Sequence, residues 1–313
     1  MQSDHYAAID IGTNAVRLLI GRVRLQGSPR VEKELLVRIP LRLGNDVFTR
    51  RELTPHTIRQ LTETITAFRH LMKVFRPRAM RACATSAMRE SRNGVEVVRE
   101  IEETTGIRLE IIDGQQEAEL IFANRIDRQF FDHDAFLYVD VGGGSTELNL
   151  FIEGRQLASA SFKIGGVRIL NEAVPAEEWP RMQKWIREHC KGIKAVAIGS
   201  GGNIGRLHRM AMLDERLPLT RKKLDQLVTG LAALDVEERI REFKLKPDRA
   251  DVIVPAGKIY LEVMKWADIR KIYVPKFGLA DGLILNLYRE YENIDPEIPV
   301  EDPPQKPGKP VLP

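Results

Sequence analysis

The sequence predicts an α/β protein made of two related domains, each with a mixed sheet covered by helices. The chain has 313 residues, and at about 150 residues per domain this length favours two domains. Strand and helix patterns follow one another in the same order twice. In addition, an apolar strand that ends in aspartate before a glycine turn occurs at residues 9–12 and again at residues 139–142. Repetition of this kind indicates a duplicated domain.

The composition is that of a globular protein without a secretory or membrane signal. With 43% hydrophobic and 29% charged residues, the chain fits neither wholesale disorder nor collagen nor a coiled coil. Its net charge of +4 permits a polyanionic partner without requiring one. The two cysteines lack the spacing of a zinc site and are expected to be buried. The N-terminus lacks the basic region and following apolar stretch of a secretion signal. We therefore expect a cytoplasmic protein that binds no membrane.

In the first half, residues 6–23 have the pattern of two apolar strands joined at a polar turn, residues 12–14. A third strand is predicted over residues 31–43. Thr54 followed by Pro55 is typical of a helix start, and apolar residues then recur at helical spacing. The remaining predicted elements of this half are helices at 54–75, 94–104 and 115–128 and strands at 78–84 and 108–112.

The second half repeats this order and adds an insertion. Residues 197–201 correspond to the strand and turn at 82–86, and residues 274–278 correspond to residues 111–114, each before a helix. The predicted elements of this half are strands at 135–141, 146–152 and 156–162, a strand and glycine turn at 197–201, extra helices within 219–266 and a last helix at 279–291.

This repeat divides the chain into a first domain at residues 1–128 and a second domain at residues 129–293. The tail, residues 294–313, holds seven of the chain's 17 prolines. Because proline-rich segments favour extended conformations without a packed core, the tail is expected to be extended or disordered.

Glycine-rich turns after strands are candidates for phosphate binding. Glycine has no Cβ, so backbone N–H groups in such a turn can approach a phosphate closely. A single glycine run is as often a plain hairpin turn, and the turn at Gly199 could equally serve tight packing of a helix on a strand. Duplication favours the functional interpretation. The candidate phosphate-binding residues are Gly12, Thr13, Asn14, Gly142, Gly143, Gly144, Ser145, Thr146, Gly199, Ser200 and Gly201.

Two aspartates, Asp10 and Asp140, end the strands that precede the first two of these turns. At equivalent positions of facing domains, their carboxylates are expected to converge on one cleft. A carboxylate beside a phosphate is repulsive in a poorly solvated site unless a cation lies between them. The pair therefore predicts bound Mg²⁺, held partly through water.

Three further residues are candidate catalytic groups. Glu117 opens a helix, where glutamate is usually a cap or a dipole partner, and Glu147 could lie on a solvated strand face. In a phosphate cleft, either carboxylate could instead orient a water for in-line attack on phosphorus. Arg89 opens a helix after a strand and is suited to anion binding, although it could be a surface arginine beside Glu90. The basic residues around it are either a solvated face or a guide for a long polyanion, namely Arg69, Lys73, Arg76, Arg78, Arg81 and Arg92.

With these residues assembled, the chain closely resembles the Ppx/GppA family of exopolyphosphatases and guanosine pentaphosphate phosphohydrolases, within the actin, Hsp70 and sugar-kinase superfamily. The resemblance covers roughly residues 6–291. It implies two actin-like (ribonuclease H-like) domains with a cleft between them and a last helix that packs back on the first domain. The motifs that carry it are AIDIGTNAVRLLI from Ala8, PLRLGNDV from Pro40, ATSAMRES from Ala84, IIDGQQEAELIF from Ile111, DVGGGSTEL from Asp140, GSGGNI from Gly199 and RADVIVPAG from Arg249.

Carried over by position, the resemblance also implies roles for the candidate residues. Glu117 is then the carboxylate that activates water, while Asp140 and Glu147 bind Mg²⁺ and position the water. Asp10 is a further candidate metal ligand. The residues expected around the scissile phosphate are Asp10, Gly142, Gly144, Ser145 and Arg89.

These roles predict an exopolyphosphatase that uses Mg²⁺ and an activated water to remove the terminal phosphate of inorganic polyphosphate by in-line attack. The alternative is a guanosine pentaphosphate (pppGpp) 5′-phosphohydrolase, which needs the same chemistry and a different distal pocket. An ATP-dependent kinase and a non-catalytic sensor are further alternatives. Nucleic acid is not an expected partner because no reading module accompanies the basic residues. Members of the family are often dimers, which leaves a homodimer open.

Overall fold

The computed structural model describes residues 4–25, 29–122, 135–153, 155–214 and 216–292. Its first half contains a five-stranded sheet in the order β3-β2-β1-β4-β5. The strands β1 to β3 form an antiparallel meander, and β1, β4 and β5 run parallel. The strand bounds are β1 Tyr6–Ile11, β2 Val16–Arg24, β3 Arg30–Ile39, β4 Ala79–Ala84 and β5 Glu110–Ile111.

The second half contains a six-stranded sheet in the order β10-β11-β9-β6-β7-β8. Its strands are β6 Ala135–Val141, β7 Thr146–Ile152, β8 Arg155–Phe162, β9 Val196–Ser200, β10 Leu219–Thr220 and β11 Lys271–Tyr273. Read from β8 to β11, this order and the strand directions match the first sheet, and β10 is an added edge strand. The predicted fold class, two mixed sheets covered by helices, is therefore confirmed.

Thirteen helices lie within the described residues, and the well-capped ones match the prediction. The long helix of the first half is capped by Thr54, whose hydroxyl accepts a hydrogen bond from the backbone N–H of Thr57 at 3.3 Å. The helix bounds are α1 Leu43–Arg50, α2 Pro55–Phe75, α3 Ser86–Glu90, α4 Gly94–Thr105, α5 Gly114–Phe122, α6 Gly166–Leu170, α7 Glu178–Cys190, α8 Gly202–Met210, α9 Arg221–Ala232, α10 Val236–Phe243, α11 Pro247–Ala250, α12 Ile253–Trp266 and α13 Leu279–Tyr291.

The structure differs from the prediction in three ways. The strand predicted over residues 31–43 ends at Ile39, and the chain enters α1 after Arg42, whose φ of 54° turns the backbone out of the strand. Helices α1, α6 and α7 were not predicted. The strand that precedes the last helix is β11, so residues 274–278 form the connection from β11 to α13.

Several predictions fall outside the described residues. They are the end of the helix predicted over 115–128, which is described to Phe122, the domain boundary at 128/129 and the tail at 294–313. The division of the chain into domains at those residues remains a prediction.

Two apolar cores lie within the halves, and a third lies between them. The third core contains Tyr6 and Cys83 from the first sheet, Phe136 from the second sheet, and Leu283 of α13. Helix α13 follows the second sheet in the chain but packs on β1, β2 and β4 of the first sheet and on α5. Both cysteines are buried, as expected. The third core therefore joins the two sheets.

Candidate active site

The two glycine turns have the same construction in both halves. The N–H of Gly12 donates to the carbonyl of Ala15 at 3.1 Å, and the N–H of Gly142 donates to the carbonyl of Ser145 at 2.9 Å. The strands on either side pair in the same register, since Asp10 lies opposite Arg17 and Asp140 lies opposite Glu147. The duplicated hairpins therefore present one charged pair each.

These pairs open into a cavity of about 640 Å³ lined by both halves of the chain. Most of the candidate residues predicted from the sequence line it, namely Asp10, Gly12, Thr13, Asn14, Glu117, Asp140, Gly142, Gly143, Gly144, Ser145, Glu147, Ser200 and Gly201. The cavity brings together residues that are far apart in the chain. It is the candidate site for substrate.

Three candidate residues lie outside this lining. Thr146 is buried and its hydroxyl donates to the carbonyl of Ile164 at 2.6 Å, which is a structural role. At Gly199 a Cβ would lie 2.7 Å from the side chain of Ile272, so tight packing accounts for this glycine. Arg89 donates to the carbonyl of Ile112 at 2.6 Å, at the edge of the site.

The helix start at residues 113–117 leaves Glu117 available to face the cleft. The N–H of Gln116 donates to the carboxylate of Asp113 at 2.8 Å, and the N–H of Asp113 donates to the side-chain oxygen of Gln116 at 3.0 Å. This reciprocal pair performs the capping that glutamate performs in many helices. Glu117 is therefore not needed to cap this helix.

Glu147 is enclosed as well. Its side chain is 3% exposed and accepts a hydrogen bond from the hydroxyl of Ser161 at 3.0 Å. A solvated strand face is thereby excluded for Glu147. Glycine at position 114 lets α5 approach this pair, because a Cβ there would lie 2.8 Å from Ser161.

Burial raises the pKa of three carboxyl groups in the cleft, and the charges of neighbouring carboxylates add to the effect at two of them. Burial raises the pKa of Asp140 to about 7, and the charge of Glu147 adds to the effect. The pKa of Glu117 is raised well above 4.5 by burial and by the charges of Glu147 and Asp140. The pKa of Glu147 is raised by burial, although hydrogen bonds from Ser145 and Ser161 oppose the change. Titratable groups perturbed in this way are typical of functional sites.

Two arginines partly compensate this negative charge. Arg17 forms an ion pair with Asp10, with 2.5 Å between Nη1 and Oδ2, and lowers the pKa of Asp140. Arg89 lowers the pKa of both Glu117 and Glu147. Asp10, Glu117, Asp140 and Glu147 thus share this part of the cleft with Arg17 and Arg89. Carboxylate oxygens are the donors that Mg²⁺ prefers.

The donor set fits a cation that keeps part of its water shell. Within the described residues, no group of three or more His, Cys, Asp or Glu side chains is arranged to hold a metal ion by itself. Mg²⁺ commonly binds through one or two carboxylates together with water and phosphate oxygens. Asp140 and Glu147, which pair across β6 and β7, can supply such a partial set.

The sequence reasoning missed a set of basic residues that also line the cavity, namely Arg17, Lys33, Arg38, Arg209, Arg249 and Lys276. Burial and the charges of Arg38 and Arg17 lower the pKa of Arg249 to about 10, so like charges are crowded here. A polyanion would relieve that repulsion. The signal for Arg17 was present, because it occupies the same position after Asp10 that Glu147 occupies after Asp140.

The basic stretch predicted as a guide for a polyanion lies elsewhere. As far as the described residues show, the cavity lining includes none of its six members. Arg81 pairs with Glu110 at 2.9 Å and Arg69 donates to the carbonyl of Thr105 at 3.2 Å. These contacts favour the interpretation of the basic stretch as a solvated face over that of a guide for a polyanion.

Two glycine hairpins and buried carboxylates that meet in one cavity of a duplicated α/β fold are typical of enzymes that act on phosphate groups. The model of the Ppx/GppA phosphatase family matches residues 37–290. The chain belongs to this family, and its class is therefore that of a phosphatase, a hydrolase.

Relatives agree with the family, and solved structures agree with the fold. The chain is 28% identical to exopolyphosphatase 2 of Mycobacterium tuberculosis over 314 residues, covering 90% of this chain and 98% of the relative. It is 23% identical to exopolyphosphatase 1 of Mycobacterium leprae over 300 residues, covering 88% and 87%. An exopolyphosphatase structure from Cytophaga hutchinsonii aligns with a TM-score of 0.76 at 24% identity, covering 93% and 99%. The structure of the Aquifex aeolicus Ppx/GppA family member aligns with a TM-score of 0.72 at 23% identity, covering 92% and 98%.

Membrane insertion through a helix finds no support in the part of the chain that the structure describes. None of its helices combines the length and the apolar character needed to cross a bilayer.

Proposed function

We propose that the protein is an exopolyphosphatase that hydrolyses the terminal phosphate of inorganic polyphosphate with Mg²⁺ and an activated water. The observation that carries the proposal is the meeting of Glu117, Asp140 and Glu147, from three separate elements, beside the two glycine turns in one cavity. The names of the mycobacterial relatives support polyphosphate as the substrate.

In this mechanism the glycine turns bind the terminal phosphate. The candidate donors are the backbone N–H groups of Gly143 and Gly144 and the hydroxyls of Thr13 and Ser145, all residues that line the cavity. Because these donors are held by the hairpins, they need no reorganisation as charge develops on the phosphate oxygens. Arg89 adds positive charge at the edge of the same site.

Glu117 accepts the proton of the attacking water. A general base works best when its pKa is close to the operating pH, and burial moves the pKa of Glu117 in that direction. Its capping role is filled by Gln116 and Asp113, so its carboxylate can turn to the cleft. Glu147 then fixes the second side of the water, supported by Ser161.

Asp140 and Glu147 would hold Mg²⁺, whereas Asp10, a further candidate ligand, is already paired with Arg17. When bound, the ion would neutralise charge on the phosphate and on the nearby carboxylates. The raised pKa of Asp140 fits such a site, because burial and the charge of Glu147 disfavour its ionised form when no cation is bound.

The basic residues of the cavity favour a long anion. Lys33, Arg38, Arg209 and Arg249 line it, with Lys33 paired to Asp281 at 2.8 Å and Arg38 paired to Asp248 at 2.5 Å. Each successive phosphate of polyphosphate carries negative charge, so several cations in one cavity can bind more than one unit.

The test measures phosphate released by the full-length protein from linear polyphosphate of defined length and from guanosine pentaphosphate, with Mg²⁺ and with a chelator. We expect faster release from polyphosphate and loss of activity in the chelator. Faster release from guanosine pentaphosphate would identify that compound, rather than polyphosphate, as the substrate. Release from neither compound would end the proposal.

The role of Glu117 is tested by Glu117→Gln, with Glu119→Gln as the matched control. Glu119 lies on the same helix and is exposed, where it accepts a hydrogen bond from Gln115 at 3.0 Å. Loss of the base is expected to lower kcat by about 100-fold or more, and the control should retain the wild-type rate. An unchanged kcat in Glu117→Gln would remove Glu117 from this role.

A further inference from the structure

Arg168 is a buried arginine at the interface between the two halves. It lies on α6 and is 4% exposed. Its backbone N–H donates to the carbonyl of Gly143 at 3.0 Å, and its side-chain Nε donates to the carbonyl of Gly144 at 2.7 Å. One residue therefore binds both carbonyls at the tip of the second glycine turn.

The far end of the same side chain enters the first half. The guanidinium forms an ion pair with Glu90 at the end of α3 and stacks on the ring of Phe48 of α1 at 4.0 Å. Glu90 also accepts a hydrogen bond from the hydroxyl of Ser86 at 3.0 Å. Ser86 in turn lies against Gly144, where a Cβ would come within 2.2 Å of its hydroxyl oxygen. The contacts close a ring across the interface.

By the proposed function, this ring joins two groups that bind one phosphate, Arg89 and the second glycine turn. Arg89 precedes Glu90 on α3 and influences the charge of Glu117, whereas Gly144 belongs to the turn on the other side of the cleft. Because a buried charge without its partner is costly, the pair of Arg168 and Glu90 holds one geometry rather than several. The distance between the turn and Arg89 is set by this pair.

We propose that Arg168 is a positioning residue for phosphate hydrolysis, one that aligns the second glycine turn with Arg89 across the interface. The proposal rests on the proposed function. A displacement of about 1 Å in a reacting geometry can cost about 100-fold in rate. By the proposed function, binding of the remaining phosphates depends instead on the basic residues that line the cavity, such as Arg209 and Arg249. Loss of Arg168 should therefore affect kcat much more than KM.

The experiment compares Arg168→Met, Glu90→Gln and the double variant with Arg181→Met. Arg181 is a matched control because it also pairs with a carboxylate, donates to a backbone carbonyl and stacks on an aromatic ring, all within the second half. We expect kcat for polyphosphate to fall about 100-fold in Arg168→Met while KM changes by less than about threefold. Glu90→Gln, which keeps the side-chain shape, should also lower kcat more than it changes KM, but by a smaller factor. The double variant should lose little beyond Arg168→Met, because both changes break one network.

Hydrogen exchange of the backbone supplies a readout that does not depend on activity. Amides at residues 142–145 should exchange faster in Arg168→Met than in the wild type and should be unchanged in Arg181→Met. If the wild type releases phosphate but kcat and exchange in Arg168→Met match those of Arg181→Met, the proposal is overturned. If the wild type hydrolyses neither substrate, the proposed function fails while exchange still tests the role of Arg168 in holding the turn.

Discussion

Replacing Asp140 by asparagine should stabilise the fold at pH 8 when no divalent cation is present. Asp140 is a partly buried carboxyl beside Glu147, and its pKa is about 7 because burial and repulsion disfavour the charge. Asparagine has nearly the same shape and cannot ionise. The substitution therefore removes the cost of a charge that, by our proposal, the protein keeps for its metal site.

The magnitude follows from the pKa. A rise from 3.8 to about 7, at about 1.4 kcal/mol per pKa unit, means that ionisation of Asp140 costs the folded state about 4 kcal/mol. The folded protein binds this proton more tightly than the unfolded chain, so the stabilisation is complete below pH 3.8 and is lost as the pH rises through about 7. Between pH 5 and pH 8 the wild type should lose about 3 kcal/mol of unfolding free energy that Asp140→Asn does not lose.

The assay is urea unfolding in a chelator at both pH values, followed by tryptophan fluorescence. All three tryptophans, Trp179, Trp185 and Trp266, lie in the second half with Asp140. Asp225→Asn at an exposed position of α9 is the control for the chemical change itself. Added Mg²⁺ at pH 8 should stabilise the wild type and leave Asp140→Asn unaffected. A stability difference between variant and wild type that is equal at pH 5 and pH 8 would refute the reasoning.

Two further predictions concern packing and burial. Gly144→Ala should destabilise the protein by about 1–3 kcal/mol in thermal unfolding, because its Cβ would meet the hydroxyl of Ser86 at 2.2 Å. Gly230→Ala on α9, where nothing lies within 4 Å, should stabilise it by up to about 1 kcal/mol, and a loss there would contradict the packing argument. Burial raises the pKa of the Cys83 thiol to about 12 and that of Cys190 to about 11, so iodoacetamide at pH 7.5 should label both only after denaturation. Rapid labelling of the native protein would show that a thiol is exposed.

The sequence predicted those elements whose signals are local. Strands with apolar runs, the paired hairpin turns and the helix capped by Thr54 were all found from spacing and turn residues. Helices α1 and α6 were missed because they are short, and their first turns are held by bonds from another part of the chain. The N–H of Gly44 donates to the carbonyl of Thr13, and the N–H of Val167 donates to that of Gly143. No residue pattern within either helix predicts such a hydrogen bond.

The same limit applies to the candidate site. Carboxylates and glycines could be selected because the chain repeats them, and the structure brings most of them into one cavity. Apart from Arg17, the arginines that line the cavity have no such mark. Arg168, outside that lining, meets Glu90 and Phe48 only after distant helices pack together. Contacts across the interface therefore account for most of what the sequence could not show.

A single difference between the two repeats explains the charge of the cleft. Arg17 and Glu147 occupy equivalent positions, each opposite an aspartate across a glycine hairpin. The first hairpin neutralises its own aspartate, while the second concentrates two carboxylates and raises the pKa of Asp140. With arginine in both hairpins the site would have no place for a metal ion. With glutamate in both it would repel a phosphate too strongly, since like charges at close range in a partly dry cleft cost several kcal/mol. Opposite charges at one duplicated position would thus allow the proposed cation and phosphate to share the cleft.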